Sequence, residues 1–337
     1  MMKVSIIGAG SWGTALAQAA DDNKNEVLIY ARSLDTVNEI NNYNTNNRYL
    51  KNIKLNKNIK ATNSLNDAIK FSDVIILAVP TKVMRTVCSE INSYLDKPKY
   101  IIHVSKGLEI DTNLRMSEVI LQTLNNENVL GVGVLSGPSH AEELVLRHPT
   151  VVAIASANDE LNTLAKSIFH NDYFRIYVNK DIIGVEIGGA LKNIIALGCG
   201  MIDGLGLGDN AKAALINRGL IEIIRMGKKL GANQLTFLGL GGIGDLIVTC
   251  TSKHSRNYNC GYLIGKGYSL EEAVEKLDMV AEGVRTTKVC YLMAQKYGVY
   301  MPITENIYKV LYDNMPIEEC INNLMSGLTS IELNEFN

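Results

Sequence analysis

Val4-Ser5-Ile6-Ile7, then Gly8-Ala9-Gly10-Ser11-Trp12-Gly13, then Thr14-Ala15-Leu16-Ala17-Gln18-Ala19-Ala20: this stretch decides how the rest of the chain is read. The first four residues are β-rich, the last seven are small and helix-forming, and the glycines between them follow G-x-G-x-x-G. A strand before such a turn and a helix after it are the context of a dinucleotide site. The first glycine permits the tight turn, the second lets backbone N–H groups reach a pyrophosphate, and the third allows close helix–strand packing. The helix N-terminus adds partial positive charge for the phosphates. Two other readings compete. A glycine-rich turn that binds nothing has the same composition. Met1-Met2-Lys3 with Ala15-Leu16-Ala17 imitates a secretory signal peptide, although the glycines and Trp12 interrupt its apolar stretch.

A second strand, Glu26 to Tyr30, ends about where a ribose-binding acid is expected, roughly 20 residues on. Tyr30-Ala31-Arg32 stands there instead. An arginine in that place pairs with a 2′-phosphate and stacks on adenine, so NADPH is favoured with NADH tolerated. Arg32 simply facing solvent is the alternative.

Apolar runs continue to alternate with helical stretches. Asp73–Pro80, Tyr100–Val104, Val129–Leu135, Val151–Ala155 and Phe174–Val178 read as strands, and Lys82–Tyr94 and Asn113–Leu124 as helices between them. This rhythm predicts a parallel, doubly wound sheet with ligands at the carboxyl ends of its strands. Asn41 to Asn58 reads as a polar excursion, an exposed loop or irregular helix with no chemistry of its own. After about Asn179 apolar residues recur three and four apart, over Ile182–Met201, Asn210–Leu230, Gly283–Tyr297, Thr304–Asp313 and Pro316–Met325. The expected organisation is α/β: an N-terminal Rossmann-like domain, residues 1–180, followed by an all-helical C-terminal domain, residues 181–337. The length of 337 residues allows two such domains at roughly 150 residues each.

Lys and Arg number 33 against 35 Asp and Glu, a net charge of -2, so no global basic surface points to nucleic acid or membrane. No apolar run is expected to approach the roughly 18 residues of a membrane span. The six cysteines and five histidines show neither C-x-x-C nor H-x-x-x-H spacing, so the expectation is no metal, no disulfide and a reduced cytosol.

Several short motifs carry charge. Lys106, in Ser105-Lys106-Gly107, follows a strand's carboxyl end beside the expected cofactor; a surface lysine is the bland alternative. Ser136-Gly137-Pro138-Ser139-His140-Ala141-Glu142 closes another strand, and Ser139 with Glu142 fits a capping box whose helix end also suits an anion. Lys192 lies among Leu191, Ile194 and Ile195, where burial would lower its pKa towards a useful acid/base range, unless it sits on a solvated face. Gly244-Asp245 and the run Thr249 to Asn257 follow. The hydroxyls, Arg256 and Asn257 of that run suit a phosphate, and a polar turn capping the next helix is the competing account.

In order along the chain, Gly8–Ala15, Ser105-Lys106-Gly107, Gly137-Pro138-Ser139, Lys192-Asn193, Gly244-Asp245, Ser255-Arg256-Asn257 and Ala281-Glu282-Gly283 resemble the bacterial NAD(P)-dependent glycerol-3-phosphate dehydrogenases. The resemblance spans residues 3 to about 330. It implies a helical domain of the 6-phosphogluconate dehydrogenase type and a cytoplasmic homodimer that supplies phospholipid synthesis. It implies reversible hydride transfer between NAD(P)H and dihydroxyacetone phosphate, giving sn-glycerol 3-phosphate. By motif, Lys192 is the general acid/base with Lys106 beside it. Lys106, Gly137, Ser139, Lys192, Asp245, Ser255, Arg256 and Asn257 contact substrate. Gly8, Gly10, Ser11, Trp12, Gly13, Arg32, Lys106, Ala141, Arg256, Val280 and Glu282 line the cofactor. His254 and Tyr258 depart from the pattern, where a leucine-like and a basic residue are usual; the second bears on the strength of the phosphate site. Rival readings are a two-domain dehydrogenase of hydroxyacid or ketopantoate type, and a silent NAD(P)-sensing module.

Overall fold

β-Branched and apolar runs make the strands of one sheet: β1 (Lys3–Ile7), β2 (Glu26–Tyr30), β3 (Lys60–Thr62), β4 (Val74–Leu77), β5 (Lys99–His103), β6 (Val129–Ser136), β7 (Thr150–Ala155) and β8 (Phe174–Asn179). Seven helices accompany them: α1 (Ser11–Asp22), α2 (Leu34–Asn38), α3 (Leu65–Phe71), α4 (Met84–Asn92), α5 (Met116–Thr123), α6 (Ala141–Val145) and α7 (Asp159–Phe169). The computed structural model describes residues 1–277 and 281–326. By contact the chain divides into two units, Met1–Ser105 with Met116–Ile182, and Lys106–Arg115 with the described residues from Ile183 onward.

The strand order is β3-β2-β1-β4-β5-β6-β7-β8. β4 is buried along its whole length, as a strand covered on both faces must be. The strands from β3 through β6 are parallel neighbours, with Val4 opposite Val27 and Ile76 opposite Ile102. The expectation of an all-parallel sheet needs correction at one pair. β6 and β7 run antiparallel, Leu135 opposite Ile154, and β7 and β8 are parallel again. The link from β6 to β7 carries only the five-residue α6 and turns back at the edge it left, instead of crossing to the far one. Apolar runs declare a strand but not its direction. β3 is short and polar and escaped the reading; so did α7, whose N-terminus is capped by Asn158 accepting from Leu161 N.

The second unit is helical: α8 (Ile182–Leu205), α9 (Asp209–Lys229), α10 (Asp245–Thr251), α11 (Arg256–Gly265), α12 (Leu270–Lys276), α13 (Glu282–Tyr297), α14 (Pro302–Tyr312) and α15 (Ile317–Met325). α8 corrects the expectation about long apolar runs. Its 24 residues are apolar and long enough to cross a membrane by length and composition, Glu186 and Lys192 notwithstanding. The apolar window is 89% buried inside the protein, so α8 is the axis around which this unit's core is built. Residues Lys106–Arg115, expected among the strands, belong with these helices, and Leu108 is buried in their core.

Candidate active site

The turn from β1 into α1 is built by its glycines. Gly8 has φ +120°, and a Cβ there would collide with the Ala78 carbonyl oxygen; a Cβ on Gly13 would collide with the Gly8 carbonyl oxygen. Gly10 is the N-cap residue of α1, no side chain caps this end, and a Cβ on Gly10 would meet nothing within 4 Å. The N-terminus of this 12-residue helix is thus uncapped by any side chain and has open space beside Gly10, which a dinucleotide pyrophosphate requires. These residues fit the group.

The polar stretch from Asn41 to Asn58, which begins in an irregular helix over Glu39–Tyr43, packs on this turn. Asn46 is buried and donates to Ala9 O at 2.9 Å and to Thr14 Oγ1 at 2.8 Å, while Ser11 Oγ donates to Tyr49 O at 3.0 Å. The excursion is fastened to the glycine turn. Trp12 is half-buried, its ring edge-on to Phe174 at 6.4 Å between centroids. Arg32 is exposed just beyond β2. Gly137 (φ +151°) and Ser139 lie in the turn after β6, and Ala141 begins α6. β1, β2 and β6 are parallel within the sheet, so these turns leave from one edge of it. The capping box expected of Ser139 and Glu142 is not formed. The N-cap is His140, without a side-chain cap, and Ser139 Oγ donates to Gly137 O at 2.8 Å.

In the helical unit, three charged residues meet. Lys192 is on α8, Asp245 is the first residue of α10, and Lys106 is on the Lys106–Arg115 segment. Lys106 Nζ is 2.8 Å from Asp245 Oδ2, and Lys192 Nζ hydrogen-bonds Asp245 Oδ1. Lys192 also donates to Thr249 Oγ1 at 2.7 Å, and that hydroxyl donates to the Asp245 carbonyl at 2.6 Å. The side chain of Asp245 is 1% exposed and that of Lys192 6%, against 20% for Lys106. Burial is the largest influence on Lys192 and pulls its pKa to about 7; Lys106 pushes the same way and Asp245 opposes. Burial raises the Asp245 carboxyl, but the two ammonium groups outweigh it and hold it below its ordinary value. An anion clamped between two cations is therefore ionised near neutrality, and Lys192 exchanges its proton there.

Close packing makes the meeting possible. A Cβ on Gly188 would collide with Gly241 O, so glycine at 188 lets the Leu240–Gly244 turn lie directly on α8 and deliver Asp245 to Lys192. Beside it, Asn257 Nδ2 donates to Asn193 Oδ1 at 2.8 Å, and Asn257 Oδ1 accepts from Gly283 N at 2.8 Å. Asn257 thus ties α8, α11 and α13 together. Ser255 is the N-cap of α11, accepting from Tyr258 N at 3.2 Å, so the capping account of this cluster holds for Ser255. Arg256 begins α11 and is exposed, and Glu282 begins α13 half-buried. Tyr258 donates to Asp203 Oδ2 at 2.6 Å. Val280 lies outside the described residues.

Thr249, read in the sequence with the hydroxyls of a phosphate cluster, instead accepts from Lys192, and Asn193 was given no role there. Asp245 and Thr249 are four apart, a spacing that puts them on one helix face once α10 is known to be a helix.

The sequence profile of the NAD-dependent glycerol-3-phosphate dehydrogenase N-terminus matches residues 3–162, and that of the corresponding C-terminus matches residues 181–322. A glycerol-3-phosphate dehydrogenase [NAD(P)+] from Macrococcus caseolyticus is 56% identical over 326 residues, 97% of this chain and 98% of that protein. One from Staphylococcus saprophyticus is 52% identical over 96% of this chain and 98% of its own length. The crystal structure of glycerol-3-phosphate dehydrogenase from Coxiella burnetii superposes with a TM-score of 0.91 at 35% identity, covering 97% of this chain and 99% of that one.

Proposed function

The chain belongs to the NAD-dependent glycerol-3-phosphate dehydrogenase family, and from that premise we propose how its residues divide the work. It is an oxidoreductase that reversibly reduces dihydroxyacetone phosphate to sn-glycerol 3-phosphate with a nicotinamide cofactor. When bound, the nicotinamide supplies or accepts the hydride. The protein must hold the substrate, stabilise charge growing on the carbonyl oxygen, and move one proton.

Lys192 is the general acid/base. In the reducing direction its ammonium donates to the substrate oxygen, and the N–H bond breaks as the alkoxide becomes the alcohol. In the oxidising direction neutral Lys192 takes that proton back. The observation that carries this role is the buried Lys192 ammonium held by Asp245 and Thr249 and titrating at about 7, where both forms are populated. Lys106 adds positive field through its contact with Asp245 and helps to orient the substrate.

Residues 1–180 hold the dinucleotide through Gly8, Gly10, Ser11, Trp12 and Gly13 at the pyrophosphate turn and through Ala141, and the family resemblance adds Lys106, Arg256, Val280 and Glu282 to the cofactor contacts. Arg32, exposed after β2, pairs with a 2′-phosphate, so NADPH is preferred and NADH accepted. Residues 181–337 hold the substrate, whose phosphate is met by Arg256 with Ser255 and Asn257, and the family resemblance adds Gly137 and Ser139 to the substrate contacts. The family resemblance supports a cytoplasmic homodimer supplying glycerophospholipid synthesis.

The test compares dihydroxyacetone phosphate with unphosphorylated dihydroxyacetone in an assay of NADPH oxidation. Arg256→Ala raises KM for the phosphorylated substrate at least about tenfold, and much more than KM for the cofactor. Equal wild-type activity on both substrates would remove Arg256 as a phosphate anchor.

A further inference from the structure

Between β5 and α5 the chain makes a small hairpin, Lys106–Arg115, that packs with the helical unit. Leu108 is bridged to Arg115 in antiparallel fashion, with Gly107 between that bridge and Lys106, and Glu109 N donates to Leu114 O at 2.9 Å. The turn is closed by Asn113 N to Glu109 O at 2.9 Å and by Thr112 Oγ1 to Glu109 Oε2 at 2.5 Å. Leu108 anchors the hairpin in the helical core. At one end Lys106 reaches Asp245; at the other Arg115 Nη1 donates to Glu186 Oε2 at 2.6 Å.

Glu186 is on α8, six residues before Lys192, and its side chain is 3% exposed, with Arg115 at 14%. A carboxylate so deep in an apolar helix is unfavourable without its cation, so the pair fixes Arg115 on α8. The Leu108–Arg115 bridge leaves only Gly107 between the held part and Lys106, so what holds Arg115 on α8 also limits where Lys106 can stand relative to Asp245.

We propose that Arg115 and Glu186 are positioning residues of the reaction, holding Lys106 against Asp245 through the hairpin. The inference rests on the roles assigned above to Lys106 and Lys192. Among the described residues, the titratable groups that act on Lys192 are Asp245 and Cys250 from α10 and Lys106 from the hairpin, and burial pushes the Cys250 thiol up, so that it stays neutral. Loosening Lys106 removes a cation near Lys192 and leaves Asp245 less neutralised. Both changes raise the Lys192 pKa, so the alkaline limb of kcat for dihydroxyacetone phosphate reduction moves to higher pH.

The experiment measures kcat against pH for wild type, Lys106→Met, Arg115→Met, Arg115→Lys, Glu186→Gln and the Lys106→Met/Arg115→Met double variant. NADPH affinity and thermal melts monitor the fold, and Glu186→Gln carries the test if Arg115→Met does not fold. Arg115→Met and Glu186→Gln are expected to lower kcat at least tenfold and to move the limb upward, in the direction Lys106→Met moves it. Arg115→Lys restores most of the loss, and Arg115→Met changes kcat less than twofold when Lys106 is already methionine. A lower kcat with an unmoved limb, or losses that multiply in the double variant, overturns the positioning role alone. An unchanged Lys106→Met profile overturns the Lys106 assignment, and the positioning role with it.

Discussion

Lys192 is surrounded by apolar helix before it meets any partner, and desolvation is therefore the first influence on its proton. Asp245 answers that with charge, Thr249 with a hydroxyl acceptor, and Lys106 with a repulsion that keeps Lys192 near neutrality. Arg32 poses the opposite case, an exposed cation whose value depends on what it meets. Arg32→Asp is expected to lower the NADPH/NADH preference in kcat/KM by at least about tenfold, because an acid there repels a 2′-phosphate and accepts from a ribose 2′-hydroxyl. An unchanged ratio would sink that assignment. Lysine among Leu191, Ile194 and Ile195 was visible in sequence because a buried cation is rare. Thr249 was not, because its role depends on a helical spacing that its polar neighbours conceal. Ser139 misled: its spacing to Glu142 imitates a cap, yet the helix starts two residues later.

Among the elements, α14 depends on a cap supplied from elsewhere. Glu222, buried on α9, accepts from Ile303 N at 2.5 Å, Thr304 N at 3.0 Å and Thr304 Oγ1 at 2.9 Å. Burial nevertheless dominates and raises its carboxyl to about 7, from an ordinary 4.5. A raised folded pKa gives stability that is full below the unfolded value and is lost as pH climbs through the folded one. Across that window the loss is about 3 kcal/mol. The melting temperature of the helical unit should fall by several degrees from pH 5 to pH 8, and Glu222→Gln, which cannot ionise, should flatten that slope. Parallel slopes would contradict it. The long apolar helices and the central strands were legible because burial imposes a period on their residues. The short helices α10, α11 and α12 were not, apart from the capping turn that opens α11, since a handful of residues sets no period. The reversal at β7 left no trace in composition either.

At the scale of the whole chain, a net charge of -2 hides a local arrangement in which Lys192 and Lys106 share one buried carboxylate. The strand-rich part and the helical part were separable in sequence by the loss of strand-like runs after about Asn179. The hairpin Lys106–Arg115 was not, because sequence adjacency to β5 says nothing of which core receives Leu108. Proton transfer by Lys192 is the step on which every other residue role depends. Turnover of dihydroxyacetone phosphate by Lys192→Ala is measured beside its NADPH dissociation constant. The expected result is a loss of kcat of at least about a thousandfold with NADPH affinity within a factor of about three of wild type. A Lys192→Ala enzyme that retains a substantial fraction of wild-type kcat would contradict it.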